Sequence, residues 1–268
     1  LELERVIQIA ERAWNRYQKE GGLSRRRALS SFRRACSLAK QAGDWKNYTR
    51  ALQGLSSVLL SYDVLAKIYE AKQTLEEGIS LLASKGLEEE TFLLQISLCP
   101  VLLKVAEAEP LKPPQVLKEG LSVIHELLRG VAGKSRDYYR LKLYQGMFCR
   151  QLSRWDREER SNLMDRASSC FLEVESSSEE ELVRDAKFQH AIALLEENVP
   201  AKAESLLKES SSLAVKTGCE RDMGEICELL SDLCEKRGDY KQANYHLRQA
   251  INYWQRFGRP SRKKREHL

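Results

Sequence analysis

Nine basic residues gathered near the two ends of the chain are the first groups that could do chemistry. Arg25, Arg26, Arg27, Arg33 and Arg34 fall within ten residues of one another, and Arg262, Lys263, Lys264 and Arg265 lie close to the last residue. Cations at that density attract phosphate by releasing counterions, and a short basic run also reads as a nuclear-import signal. Residues 1 to 44 hold ten Lys/Arg against five Asp/Glu, and residues 256 to 268 hold six against one. The net charge of +5 therefore leaves the body between them mildly acidic. Neither cluster interleaves the aromatic rings that stack on bases. A solvated or partner-contacting helix face and an import tail rank ahead of direct nucleic-acid binding.

Other chemistries find less to work with. His125, His190, His246 and His267 are scattered, with no HExxH and no paired histidines on one helical face. Seven cysteines, at 36, 99, 149, 170, 219, 227 and 234, form no CxxC pair; an odd count at mostly apolar positions predicts reduced, buried thiols in the nucleus or cytoplasm. No GxxxxGK loop and no GxGxxG after a strand cradles a phosphate. Glu179, Glu180 and Glu181 open a helix, where the dipole favours negative charge. A Ser–His–Asp assembly drawn from distant positions stays open, but nothing in the sequence asks for one. These readings predict a protein that is not an enzyme and takes no cofactor or metal.

The elements that position these residues are helices. Apolar residues make up 42% and charged residues 31%, with 6 Pro and 14 Gly, which is the profile of a soluble, helix-rich chain. No apolar run approaches eighteen residues, so no membrane span is expected. The opening LELERVIQIAERAW is amphipathic and lacks an initiator Met and a signal core, which reads as a fragment of a longer polypeptide. Near the other end, in ELLSDLCEKRGDYKQANYHLRQAINY, the RGDY is a turn. Leu229, Leu230, Leu233 and Cys234 before it, and Ala243, Leu247, Ala250 and Ile251 after it, recur at helical three-and-four spacing. Gly238 ends one helix and Asp239 caps the next.

That second helix carries a small, a large and a small residue at Ala243, Leu247 and Ala250. The same spacing returns at Ala28, Phe32, Ala35; at Ala71, Leu75, Gly78; and at Ala203, Leu207, Ser210. Looser versions are Gly120, Ile124, Leu127 and Ala167, Phe171, Val174. Successive intervals of 43, 49, 47, 36 and 40 residues give a period that fits two helices and two short turns. Six hairpins follow, with helices expected over 2–20, 24–41, 45–61, 64–84, 88–108, 115–130, 136–153, 158–174, 179–196, 200–217, 220–236 and 240–257. Two places strain the scheme. Pro100 lies inside a helix that it should kink or split, and PLKPPQ at 110 to 115 predicts an extended connection where the array bends or divides.

These residues resemble the tetratricopeptide repeat family. Leu230 and Ser231, the turn at Gly238, Asp239 and Tyr240, and then Ala243, Leu247 and Ala250 carry the match most fully; the first and fifth hairpins retain parts of it. The period exceeds the thirty-four residues usual for that family, so the chain is similar to its longer-helix, tetratricopeptide-like relatives. The resemblance implies an all-α, right-handed superhelix whose first helices line a concave groove that binds peptides, loops or helices. By the same resemblance Glu225, Glu228, Asp232 and Glu235 face inward and suit a basic peptide, or else form a solvated flank. If Gly146 stands where Ser231 does, Arg140, Met147, Arg150 and Gln151 face inward. If Ala191 does, so do Asp185, Phe188 and Ile192, the last two equally suited to core.

Residues 1–258 are thus expected to form one array and 259–268 a basic tail. The expected function is a protein-interaction scaffold or adaptor within a larger intracellular polypeptide, holding a partner peptide or helix in its groove. A nucleic-acid-associated module using the basic N-terminal hairpin and C-terminal tail is the alternative.

Overall fold

The computed structural model describes residues 2–109, 113–131, 133–218 and 222–257. They form α1 (Glu2–Glu20), α2 (Ser24–Ala42), α3 (Trp45–Leu60), α4 (Leu65–Ser84), α5 (Glu88–Ala108), α6 (Pro113–Gly130), α7 (Arg136–Leu152), α8 (Arg160–Glu175), α9 (Glu180–Glu196), α10 (Pro200–Thr217), α11 (Met223–Lys236) and α12 (Tyr240–Phe257). No strand occurs among the described residues. Each helix packs on its chain neighbours, which makes the chain an α-solenoid of helical hairpins. The RGDY turn joins α11 to α12 as expected: Gly238 takes φ of +79°, and the Asp239 carboxylate accepts the Gln242 amide at 3.1 Å.

Of the kink or split expected at Pro100, the split does not occur. Helix α5 runs unbroken from Glu88 to Ala108. Proline removes one hydrogen bond from the helix, but α3, α4, α6 and α7 all pack against α5 and hold it. The extended connection after it is also shorter than expected, because α6 already begins at Pro113. In a first helical turn a missing N–H leaves no bond unmade. Residues 110–112, where the bend was expected, lie outside the described residues.

Burial follows the repeat. Ala28, Ala35, Ala71, Ala167, Ala203, Ser210 and Ala250 are fully buried, so the second helices approach their neighbours at backbone distance. Glycines extend this close approach to large rings. A Cβ at Gly54, Gly120, Gly146 or Gly224 would run into Phe32, Phe148, Phe171 or Trp254 respectively. Three large core blocks result, beside a small cluster of Val6, Ile7, Ala35 and Ala51. The first joins α1 to α5, the second α5 to α9 and the third α9 to α12. Helix α5 gives Leu94, Val101 and Val105 to the first block and Ile96, Cys99 and Leu103 to the second. Because it faces core on both sides, α5 is apolar enough, by length and composition alone, to cross a membrane. Helix α9 is shared in the same way, with Ala186 in one block and Phe188 and Ala191 in the next.

The two ends of the array meet. The Tyr17 hydroxyl, near the end of α1, donates to the Phe257 carbonyl at the end of α12 over 3.2 Å. The two rings pack edge-on at 6.1 Å, and the Arg256 side chain donates to the Lys19 carbonyl. Helix α1 ends at the rim that carries the turns within hairpins, whereas α12 ends at the rim that carries the turns between hairpins. Contact between those two ends therefore joins opposite rims. The chain completes one superhelical turn like a lock washer, advancing along its axis by roughly one helix length, about 25 to 30 Å at about 1.5 Å per residue.

The described cysteines, Cys36, Cys99, Cys149, Cys170, Cys227 and Cys234, are all free thiols. Burial pushes Cys36 and Cys99 up to about 12, and Cys170 and Cys227 to about 11. Burial raises Cys149 as well, and since the thiolate is the reactive form, these five should label slowly with a maleimide at pH 8 until the chain unfolds. Rapid labelling of any of them, located by peptide mapping, would contradict this burial. Replacing fully buried Ala250 with Leu should destabilise the chain by about 1 to 3 kcal/mol through overpacking, read from denaturant unfolding; an unchanged midpoint would remove the repeat register. Gly21 and Gly22 both take positive φ, of +71° and +77°, but only at Gly21 would a Cβ strike the Arg256 carbonyl. Gly21→Ala should therefore part the ends and raise the radius of gyration in small-angle scattering, whereas Gly22→Ala should carry the φ strain without that expansion.

Candidate functional site

The first helices of the hairpins share an inner face, and a cavity of about 650 Å³ opens on it. Four of them line it. Helix α1 supplies Trp14 and Asn15, α3 supplies Gln53, Gly54 and Ser57, α5 supplies Ser97 and Pro100, and α7 supplies Arg140 and Tyr144. The pattern explains the shape: α3 and α5 contribute small residues between the aromatic side chains of α1 and α7. Gln53 is fixed by its own bonds, donating to the Leu93 carbonyl at 3.3 Å and to Ser97 Oγ at 3.1 Å.

The arginines around this cavity are paired. Arg50 grips Glu11 through two bonds of 2.6 and 2.7 Å. Arg136 reaches Glu181 at 2.9 Å and Glu179 at 3.4 Å, and Arg140 reaches Asp137 at 3.4 Å. Burial raises the Tyr144 pKa, with Arg140 acting against it, so its phenol stays protonated and able to donate.

Further along the inner face the polar groups continue. Gln151 donates to Glu107 at 2.8 Å, and Lys104 pairs with Glu107 at 2.7 Å. Burial works against the Lys104 ammonium, yet Glu107, Asp63 and Glu225 together raise its pKa. Glu225 lies on α11 and is half-buried.

The other expected groove residues divide. Arg140 lines the cavity. Asp232 is half-buried, while Glu235 is exposed near the end of α11. Glu228, by contrast, is only 1% exposed, so the four carboxylates do not make one open acidic face. Arg150 is also buried: it donates to Glu196 at 2.8 Å and to Gln189 at 3.2 Å, its Nε has no partner, and burial lowers its pKa against the pull of Glu196. Met147 is half-buried against the middle core block, and Phe188 and Ile192 belong to the third block, the core alternative for both. Asp185 is half-buried and takes the Arg184 side chain at 2.7 Å. Sequence spacing gave no sign of the cavity itself; its signal was the run of small residues in α3 and α5 facing Trp14 and Tyr144.

Of the five described residues of the basic patch, three are engaged in structure. Arg25 lies over the Tyr62 ring at 4.1 Å and donates to the Ser61 carbonyl at 3.0 Å. Arg33 pairs with Glu70, and Arg34 with Glu2 at 2.6 Å. Arg26 and Arg27 are exposed and have no ion pair among the described residues. Arg262, Lys263, Lys264 and Arg265 lie outside the described residues. His190 is buried, 2.7 Å from the Glu175 carboxylate and tilted over Phe171 at 6.1 Å, while burial lowers the pKa of His125 and His246. No group of three or more His, Cys, Asp and Glu that could hold a metal occurs among the described residues.

No family model matches the chain, and no curated protein matches it. Among solved structures, BtubC (BKLC) from P. vanneervenii is 14% identical over 94% of this chain and 91% of its own, with a TM-score of 0.48. The DHF58 filament is 19% identical over 99% of this chain and 98% of its own, with a TM-score of 0.17. Neither likeness bears on what this chain does.

Proposed function

We propose that this chain is a protein-interaction scaffold of tetratricopeptide-like design that holds a partner segment on its inner face. The observation that carries the reading is the cavity lined by the first helices of four successive hairpins. Its volume lies within the range of ligand sites, and it offers hydroxyls, amides and two aromatic side chains without a converging nucleophile and base. Such a surface recognises a chain segment by hydrogen bonds and ring contacts. The scaffold is already folded around it, so binding orders only the partner. The buried thiols and the enclosed His190 favour a non-catalytic role in the nucleus or cytoplasm.

The alternative, a nucleic-acid-associated module, rests on Arg26, Arg27 and the basic tail. One experiment separates the two. A photo-crosslinking residue placed at Ser57, which lines the cavity and is exposed, is compared with the same residue at exposed Lys208 on α10. The expected result is a nuclease-resistant protein adduct from Ser57 that is absent from Lys208 and reduced by Arg140→Glu. Adducts that vanish with nuclease, and that fall with Arg26→Glu and Arg27→Glu instead, would put the alternative in its place.

A further inference from the structure

The inner-face cavity sorts its hydrogen-bonding groups by wall. On α3 and α5 the side-chain protons are already spent. Gln53 gives its amide hydrogens to the Leu93 carbonyl at 3.3 Å and to Ser97 Oγ at 3.1 Å, and because a main-chain carbonyl can only accept, it is the Gln53 nitrogen that faces it. Its Oε1 is left as an acceptor with no donor to it among the described residues. Ser57 Oγ donates to the Gln53 carbonyl at 2.9 Å, and Ser97 Oγ donates to the Leu93 carbonyl at 2.9 Å. Each hydroxyl therefore offers a lone pair rather than a proton.

The flanking walls are the reverse. On α1, Trp14 is half-buried with its ring stacked on Tyr17 at 5.4 Å. Its indole N–H can only donate, and it reaches no acceptor among the described residues. On α7, Arg140 already donates to the Tyr144 oxygen, which turns the phenol proton away from the guanidinium. The cavity is thus an acceptor floor between two donor edges.

Charge narrows the occupant. Arg50, Arg136 and Arg140 all border the cavity, so a cation would enter against three guanidinium groups. Each of the three is already paired, with Glu11, with Glu179 and Glu181, and with Asp137. An anion would have to displace one of those carboxylates, and it brings no proton for the floor. An apolar side chain would cover the Gln53 oxygen and the Trp14 N–H and leave both unpaired, which is costly. A primary carboxamide meets every condition. Its nitrogen carries two protons for the floor, its oxygen accepts from either edge, and it has no charge.

We infer that the cavity selects a glutamine or asparagine side chain on the partner segment. Gln53 Oε1 and Ser57 Oγ accept its two N–H groups, and the Trp14 indole or the Tyr144 hydroxyl donates to its carbonyl oxygen. This rests on the reading of the cavity as the place where a partner segment is held, and adds what that segment carries.

The test uses the whole chain and the N-acetyl methylamides of glutamine, glutamate, lysine and norleucine, which share one backbone and differ only in side chain. Binding is read from the indole N–H resonance of Trp14 in NMR titrations, assigned as the signal lost in Trp14→Phe. Single residues bind weakly, so the titrations run into the millimolar range. The glutamine probe should shift the resonance saturably and bind at least about tenfold more tightly than the other three. Ser57→Ala and Tyr144→Phe should each weaken it several-fold, with the far-UV circular dichroism spectrum kept. A glutamate or lysine probe that binds as tightly as glutamine overturns the carboxamide assignment and leaves the scaffold reading standing. Equal shifts from all four probes overturn it as well, because the common backbone would then be what is bound. So does the absence of a shift with any probe, and the photo-adduct at Ser57 then decides separately whether this face holds a protein.

Discussion

No hairpin in this chain can bury its own second helix. The outer apolar residue of each, Phe32, Leu75, Ile124, Phe171 or Leu207, has zero or near-zero exposure with the following hairpin in place. Everything else depends on that dependence. It forces the hairpins to stack in order, makes core continuity a matter of neighbours, and explains why α5 and α9, which serve two core blocks each, are apolar on more than one side. It also explains the glycines. A ring can be covered closely only where the covering helix offers bare backbone, as Gly54 does to Phe32, and the lower helix propensity of glycine, about 1 kcal/mol relative to alanine, is offset by the apolar surface buried there.

A stack of this kind has two ends and an inside. The first helices cover the preceding hairpin with one face and carry polar and charged residues toward the inner space on another, and those groups satisfy one another: Arg50 with Glu11, Lys104 with Glu107, Gln151 with Glu107. The inner face is thus polar but not bare, and a charged partner group must compete with bonds that already exist. At the ends, helix α1 borrows the end of α12 to cover Tyr17.

The period, the turns and the helix limits were legible because they depend on near neighbours in sequence. Small residues at fixed spacing marked the hairpins, and Gly238 with Asp239 marked a turn, since both act within four residues. Observed helix ends lie within three residues of the expected ones. The fate of single charges was less legible. Glu228 and Asp232 occupy similar positions on one helix, yet one is sealed and the other half-open, because burial depends on what packs from outside the hairpin. Arg150 was read as a groove residue and is buried, its guanidinium turned to Glu196 and Gln189 on the neighbouring hairpin. Least legible was the meeting of Tyr17 with Phe257. It depends on the rotation and rise per hairpin summed over the whole array, quantities that no local pattern encodes.

The lock-washer geometry has a mechanical meaning. A coil whose ends just touch is an asymmetric spring. Under axial compression the rim near Gly21 bears directly on the backbone of Arg256, and contact between main chains is stiff. Under tension a hydroxyl bond, a guanidinium bond and a ring contact are among the links that hold the ends together, and beyond them the coil extends by small rotations at the hairpin interfaces. Load applied along the axis would therefore be resisted in one direction and shared among the hairpins in the other, at the end where Trp14 stacks on Tyr17 at 5.4 Å beside the cavity.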